Sequence, residues 1–234
     1  GMFIMDVQCS GDLTQGSGYS CYDSPLEGEE VTTSGIVSHV VSQSHEGAAG
    51  NFFLQQYSLA NCGGIFVRDF DIVPNVGDNI SLIGTVNEYY GCTQLIDVVT
   101  SSVSSTGNVT STREITTGQL GIDCSENGEM FEGMLVKIFN VTVEDIDEYG
   151  NVQINDGSGP TLMDDYYFDG EWTTPAVGYT YPSIIGVVGY SYEEFKIYPR
   201  NDNDFQSCAL GDLNDDNTWN ILDIVALANC VLES

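Results

Sequence analysis

The sequence predicts an all-β protein of two tandem, five-stranded Greek-key barrels, followed by a short calcium loop and helix. Three observations carry this expectation. From Ser24 onward, short β-branched and aromatic runs separated by Gly, Asp and Asn replace helical periodicity. These runs form two similar sets of five, about a hundred residues apart, the pattern left by a duplicated unit. A chain of 234 residues also has room for about two small domains.

Residues 1–22 are rich in Gly, Ser and Gln and read as an N-terminal arm, in which Cys9 and Cys21 are placed to close a small loop. The first unit, residues 23–113, has strands expected at 31–37, 51–55, 64–67, 79–86 and 93–96. The second, residues 114–206, has them at 131–136, 151–154, 161–163, 183–188 and 195–198, and the Ser-, Thr- and Gly-rich stretch 101–122 reads as the link. In both sets a Pro-x-Val-Gly turn, Pro74 to Gly77 and Pro175 to Gly178, separates the third and fourth strands. The fourth strand then carries a central glycine, Gly84 or Gly186, of the kind a long strand needs to round a barrel corner. A five-stranded unit with such corners suits the OB-fold. A pair of β-sandwiches is the alternative, although immunoglobulin-like sandwiches need about seven strands and a different Cys and Trp arrangement.

Charge narrows the partners. Five Lys+Arg against 35 Asp+Glu give a net charge of −30, and the cations Arg68, Arg113, Lys137, Lys196 and Arg200 are scattered, so a bare polyphosphate is a poor ligand. A hydrophobic content of 41% excludes a wholly disordered acidic tail. No apolar run approaches the ~18 residues of a membrane span, so no membrane insertion is expected, and residues 1–5 lack the basic start of a signal peptide. Seven singly spaced cysteines, no Cys-x-x-Cys and two histidines favour disulfides over zinc, hence a secreted or cell-surface protein whose signal lies outside this chain. Cys62 with Cys92 is one expected pair; Cys208 with Cys230, or Cys124 with Cys208, are rival schemes, and one thiol stays single.

The first repeat, in Ser24-Pro25-Leu26-Glu27-Gly28, Phe52-Phe53-Leu54-Gln55, Gly64-Ile65-Phe66-Val67 and the run Gly84 to Gly91, resembles OB-fold domains attached to secreted bacterial nucleases of the endonuclease/exonuclease/phosphatase type. The second is similar to the domain that follows in such proteins, through Phe131 to Val136 and Asn155-Asp156-Gly157-Ser158-Gly159. The resemblance implies the fold, export and a nuclease-like neighbourhood, but the phosphodiesterase domain itself has no counterpart here. Catalysis is not expected on other grounds also. There is no Gly-x-Ser-x-Gly elbow, Walker loop or His-Glu-x-x-His, and His39 and His45 read as surface loop residues.

At the C-terminus, residues 207–234, the twelve-residue segment starting at Asp212 places oxygen ligands at Asp212, Asn214, Asp216, Asn220 and Asp223, with the Thr218 carbonyl completing a Ca²⁺ set of EF-hand type. An apolar-striped helix is expected after it. The segment resembles one half of a type I dockerin, which implies a cohesin-like partner; the family's second copy is missing and Asn217 replaces its usual glycine. For the barrels, Phe53, Phe66, Tyr89, Tyr90, Tyr166 and Tyr167, with Tyr190 and Tyr192, are the candidate stacking residues for single-stranded nucleic acid or oligosaccharide. The expected function is a non-catalytic nucleic-acid-binding accessory of an extracellular nuclease-like protein. The alternative is a cell-surface carbohydrate- or protein-binding module without nucleic-acid affinity.

Overall fold

The computed structural model describes residues 1–9, 14–15, 21–41, 51–57, 61–68 and 72–206, with 221, 224, 225 and 228. The calcium-loop residues Asp212, Asn214, Asp216, Thr218, Asn220 and Asp223, and also His45, Cys208 and Cys230, lie outside the described residues.

Helix α1 (Ile4–Gln8) precedes a two-stranded ribbon of β1 (Thr14–Gln15) and β2 (Tyr22–Asp23). Strands β3 (Glu30–Val40), β4 (Phe52–Gln55), β5 (Gly64–Val67), β6 (Asn79–Tyr89) and β7 (Cys92–Ser105) close a barrel in the order β3-β4-β5-β7-β6. Every neighbouring pair is antiparallel except β5 with β7. After β8 (Arg113–Glu114), α2 (Thr117–Leu120) and α3 (Glu126–Glu129), the chain repeats the design with β9 (Leu135–Ile146), β10 (Val152–Asn155), β11 (Pro160–Met163), β12 (Thr180–Ser191) and β13 (Glu194–Tyr198). Their order is β9-β10-β11-β13-β12, β12 returns to pair with β9, and β11 with β13 is again the parallel pair. Short strands β8 and β14 (Phe205–Gln206) extend this second sheet. The architecture is two five-stranded barrels of one topology, as the duplicated pattern predicts.

The duplicated turns behave alike. In the first barrel Gly77 donates its N–H to the Val37 carbonyl and Val37 to Asp78; in the second, Gly178 donates to Val143 and Val143 to Tyr179. Gly77 and Gly178 sit at φ 88 and 86, where a side chain is strained. Gly84 lies where β6 changes register against β7. Gly186 faces the Tyr198 backbone so closely that a Cβ there would lie 2.7 Å from the Tyr198 oxygen.

Several local expectations change. The arm of residues 1–22 is not an appendage: Ile4 and Val7 of α1 are fully buried in the first barrel's core with Phe52, Leu54, Ile65 and Leu82. The stretch 101–122 is not a plain linker, because β7 runs to Ser105 along β6. Residues 130–133 form a turn, and the first strand of the second barrel starts at Leu135. Cystines join Cys9 to Cys62 and Cys21 to Cys124, so neither Cys9–Cys21, Cys62–Cys92 nor Cys124–Cys208 forms, and Cys92 is a free thiol. Sequence spacing misleads here because both bonds span elements that become neighbours only after the barrels close. Two disulfides suggest an oxidising environment. No helix among the described residues is long and apolar enough to cross a membrane.

The barrels are pressed together. A third apolar cluster, built of Val41, Phe53 and Phe66 from the first barrel and Leu135, Val187 and Tyr198 from the second, lies between the two barrel cores. Polar ties surround it: the Leu135 N–H donates to Gln55 Oε1 at 2.7 Å, the Cys62 N–H to the Met130 carbonyl at 2.7 Å, and Arg200 to the Ser38 carbonyl at 2.9 Å. Strand alternation explains the division of labour. Phe52 and Leu54 point into their own barrel, so Phe53 must point out, and the second barrel covers it.

Candidate binding cleft

In each barrel the last hairpin turns through two residues, Tyr90-Gly91 between β6 and β7 and Tyr192-Glu193 between β12 and β13. Their φ values are 52 and 85 in the first and 54 and 68 in the second. Two successive positive values define the type I′ turn, whose usual occupants are Asn and Gly. A tyrosine in this region costs of order 1–3 kcal/mol, and such strain concentrates at functional sites. The same unfavourable choice at the same turn of both copies places Tyr90 and Tyr192 at the hairpin tips, 62% and 89% exposed.

Both tips line one cleft of about 980 Å³ between the barrels. All six predicted ligand residues line it: Phe53, Phe66, Tyr89, Tyr90, Tyr166 and Tyr167. They divide by role. Phe53 and Phe66 are buried with ring centroids 4.9 Å apart and belong to the packing beneath the cleft. Tyr89 and Tyr90 stand edge-to-face at 4.8 Å and Tyr166 and Tyr167 at 5.1 Å, each pair leaving at least one exposed ring. Tyr167 bridges the two groups, 5.3 Å from Phe53 and 4.8 Å from Tyr198. Arg68 lies over the Tyr89 ring at 5.6 Å. Lys196, by contrast, is buried, donates to Asn151 at 2.9 Å and pairs with Asp164 at 3.4 Å.

Sequence reasoning missed the acidic floor of this cleft. Ser125 caps α3 by accepting the Gly128 N–H at 3.0 Å, and the chain then turns so that Glu129 and Glu132 both face inward, 0% and 1% exposed. Neither carboxyl completes a hydrogen bond of good geometry. Glu132 and the half-buried Cys92 line the cleft, and Glu129 and Glu88 adjoin Glu132. Burial, reinforced by the neighbouring acids, holds the Glu129 and Glu132 carboxyls well above the usual carboxylate range and raises the Cys92 thiol. Burial also takes Glu88 up to about 7, against the Ser24 N–H and Thr93 hydroxyl that its carboxylate accepts. The available signal was a glutamate set in an apolar run, Met130-Phe131-Glu132-Gly133-Met134.

His39 is a correction of another kind. It lies on β3 at 4% exposure, not in a surface loop, and its Nε2 meets the Tyr167 carbonyl at 3.0 Å. Burial depresses its pKa to about 4, so the imidazole is neutral.

These groups set a pH dependence of stability. Glu88, Glu129 and Glu132 keep protons in the fold that the unfolded chain releases above its ordinary carboxylate pKa, so stability falls as pH climbs from about 4.5 through about 7 and beyond. His39 acts oppositely, costing stability as pH falls from about 6.5 towards 4. Three groups outweigh one. The melting temperature is expected to peak under mildly acidic conditions and fall toward pH 8.5, with a loss of stability of roughly 3 kcal/mol from Glu88 alone. A thermal-unfolding series across this range checks it; a profile rising to pH 8.5 contradicts the buried-acid assignment.

Comparison of the chain with protein-family models and with curated proteins returns no match. The fold and cleft define an all-β, double-barrel protein with an aromatic, acid-floored groove at the inter-barrel seam. No group of three or more His, Cys, Asp or Glu among the described residues is arranged to hold a metal ion.

Proposed function

We propose that the chain is a non-catalytic binding module of a secreted protein and holds an oligosaccharide between its two barrels. The observation that carries this reading is the duplicated tyrosine at a strained hairpin tip, with both tips over one cleft. Sugar rings stack their C–H faces on exposed tyrosines, and Gln94, Asp164 and Glu193 along the same walls offer hydroxyl partners. An uncharged glycan meets no repulsion from a net charge of −30. One feature favours single-stranded nucleic acid, the ligand class implied by the resemblance to nuclease-associated domains: Arg68 over Tyr89 offers stacking beside a cation. That ligand needs Ca²⁺ or Mg²⁺ to bridge carboxylates and phosphates. Residues 207–234 are proposed to bind Ca²⁺ through Asp212, Asn214, Asp216, Thr218, Asn220 and Asp223 and to present a cohesin-like partner with the following helix.

The test is Tyr90→Asn with Tyr192→Asn. Asparagine tolerates positive φ better than tyrosine, so the double variant is expected to melt at or above the parent temperature while glycan affinity falls about tenfold or more. A silent glycan array with single-stranded DNA retained at low salt transfers the assignment to nucleic acid. Silence in both removes the module reading. For the C-terminal segment, Asp212→Asn with Asp223→Asn is expected to abolish calorimetric Ca²⁺ binding; undiminished binding rejects the loop.

A further inference from the structure

We infer that the Glu129–Glu132 pair on the floor of the inter-barrel cleft is the counter-charge for a primary ammonium, so that the cleft takes an amine-bearing ligand. This rests on the reading of the cleft as a binding site and adds the ligand's charge.

Five carboxyl oxygens in this region complete no hydrogen bond of good geometry, Oε2 of Glu88 and both oxygens of Glu129 and Glu132; among the described residues Glu129 and Glu132 approach only each other, the Cys92 thiol and the Tyr22 and Thr93 backbone. Buried acceptors left unsatisfied are costly. Protonation relieves part of the cost but supplies only one donor per carboxyl. No ion pair among the described residues reaches these three acids, since Lys196 is engaged by Asp164 and Glu194 and Arg200 by Asp204. What the floor lacks is a compact group with several donors and a positive charge. An ammonium provides three N–H donors, and the ring-lined walls above Glu132, with Tyr167, Tyr190 and Tyr198, favour a cation further. The overall charge of −30 draws the same ligand in.

The groups that face the pair are Glu88 on β6, Cys92 and the Thr93 backbone on β7, the Tyr22 backbone on β2 and Tyr190 on β12, and the charged groups Arg68, Asp164 and Glu193 line the same cleft. Burial and the Glu88 charge disfavour ionisation of Glu132 more than its contacts with the Cys92 thiol, Glu129 and the Thr93 backbone favour it, so the pair holds its protons near neutrality. Binding is therefore an exchange: the ligand enters as R–NH₃⁺, Glu132 gives its proton to solvent, and the carboxylate formed accepts from the ammonium. Charge balances within the site, and about one proton is released per ligand bound. Two sources carry this chemistry, an amino sugar and a polyamine.

The experiment is titration calorimetry on the full chain with three probes: a fully deacetylated glucosamine tetramer, its N-acetylated counterpart and spermidine. Each is measured in two buffers of different protonation enthalpy, between about pH 6 and about pH 7.5. Near pH 6, where its amines are charged, the amine tetramer is expected to bind about tenfold more tightly than the acetylated one and to release about one proton, and spermidine, charged throughout this range, is expected to gain affinity as pH rises. Glu132→Gln, nearly isosteric and uncharged, is expected to abolish the preference between the two tetramers and the proton release. Equal affinities, or binding without proton release, overturn the inference while leaving the glycan reading standing. Silence of both tetramers with Glu132-dependent binding of spermidine removes the glycan reading and supports the ammonium site. Silence of all three overturns both. Should Glu132→Gln fail to fold, the proton count on the parent protein and Glu129→Gln decide.

Discussion

Gly133→Ala is expected to lower the melting temperature by about 5–15 °C and to disturb the seam between the barrels. Gly133 sits at φ 72 with the Gly64 backbone across from it, and a Cβ there would lie 2.6 Å from the Gly64 carbonyl carbon and the Ile65 nitrogen. The contact is reciprocal, because a Cβ on Gly64 meets the Gly133 carbonyl and the Met134 nitrogen. Backbone cannot rotate aside as a side-chain end can, so the barrels must separate. Left-handed strain contributes roughly 1–2 kcal/mol and the overpacking about 1–3 kcal/mol more. Gly107 supplies the control: at φ 67 a Cβ finds nothing within 4 Å, so Gly107→Ala carries the strain without the clash. If Gly133→Ala melts no lower than Gly107→Ala, the close approach of the barrels is wrong. The cleft depends on this seam, so ligand affinity is expected to fall with Gly133→Ala and stay level with Gly107→Ala.

Replacing Cys21 and Cys124 together by serine is the second large effect. Their cystine closes a loop spanning 103 residues that contains the whole first barrel. On the chain-entropy account, freeing such a loop costs about 4–5 kcal/mol. Cys21 is also fully buried in the second barrel's core cluster, where a hydroxyl finds a poorer environment. The expected outcome is a lower melting temperature and a single transition resolving into two, one per barrel, by scanning calorimetry. An unchanged single transition, after mass spectrometry confirms the loss of the bond, contradicts the proposed tether. Cys9–Cys62 spans 53 residues and ties α1 and the first barrel, so its removal is expected to lower stability without splitting the transition.

Strand-level features were open to reading because they are local. Alternation around Phe52-Phe53-Leu54 and the recurring Pro-x-Val-Gly turns depend on a few adjacent residues, and they fall where the pattern places them. The six aromatic candidates were equally legible as residue types, and they converge on one cleft. Their roles were not legible. Whether Phe53 is a stacking surface or packing depends on what covers the outer face of β4, and the cover is Leu135, Val187 and Tyr198, more than eighty residues away in the chain. Glu132 was hidden for a related reason. As part of a strand it would alternate with Phe131; in the turn after α3 it points into the seam.

The chain's own order of residues therefore determined that it is β-rich, duplicated, acidic and furnished with paired tyrosines, since propensity, periodicity and charge act over a few neighbours. Tertiary structure alone decided that the copies share a seam, that cystines cross the expected boundaries, and that buried acids floor an aromatic groove. Such contacts join residues whose separation in sequence carries no signal of their proximity, and their energetic consequences arise only once water has been excluded between the two barrels.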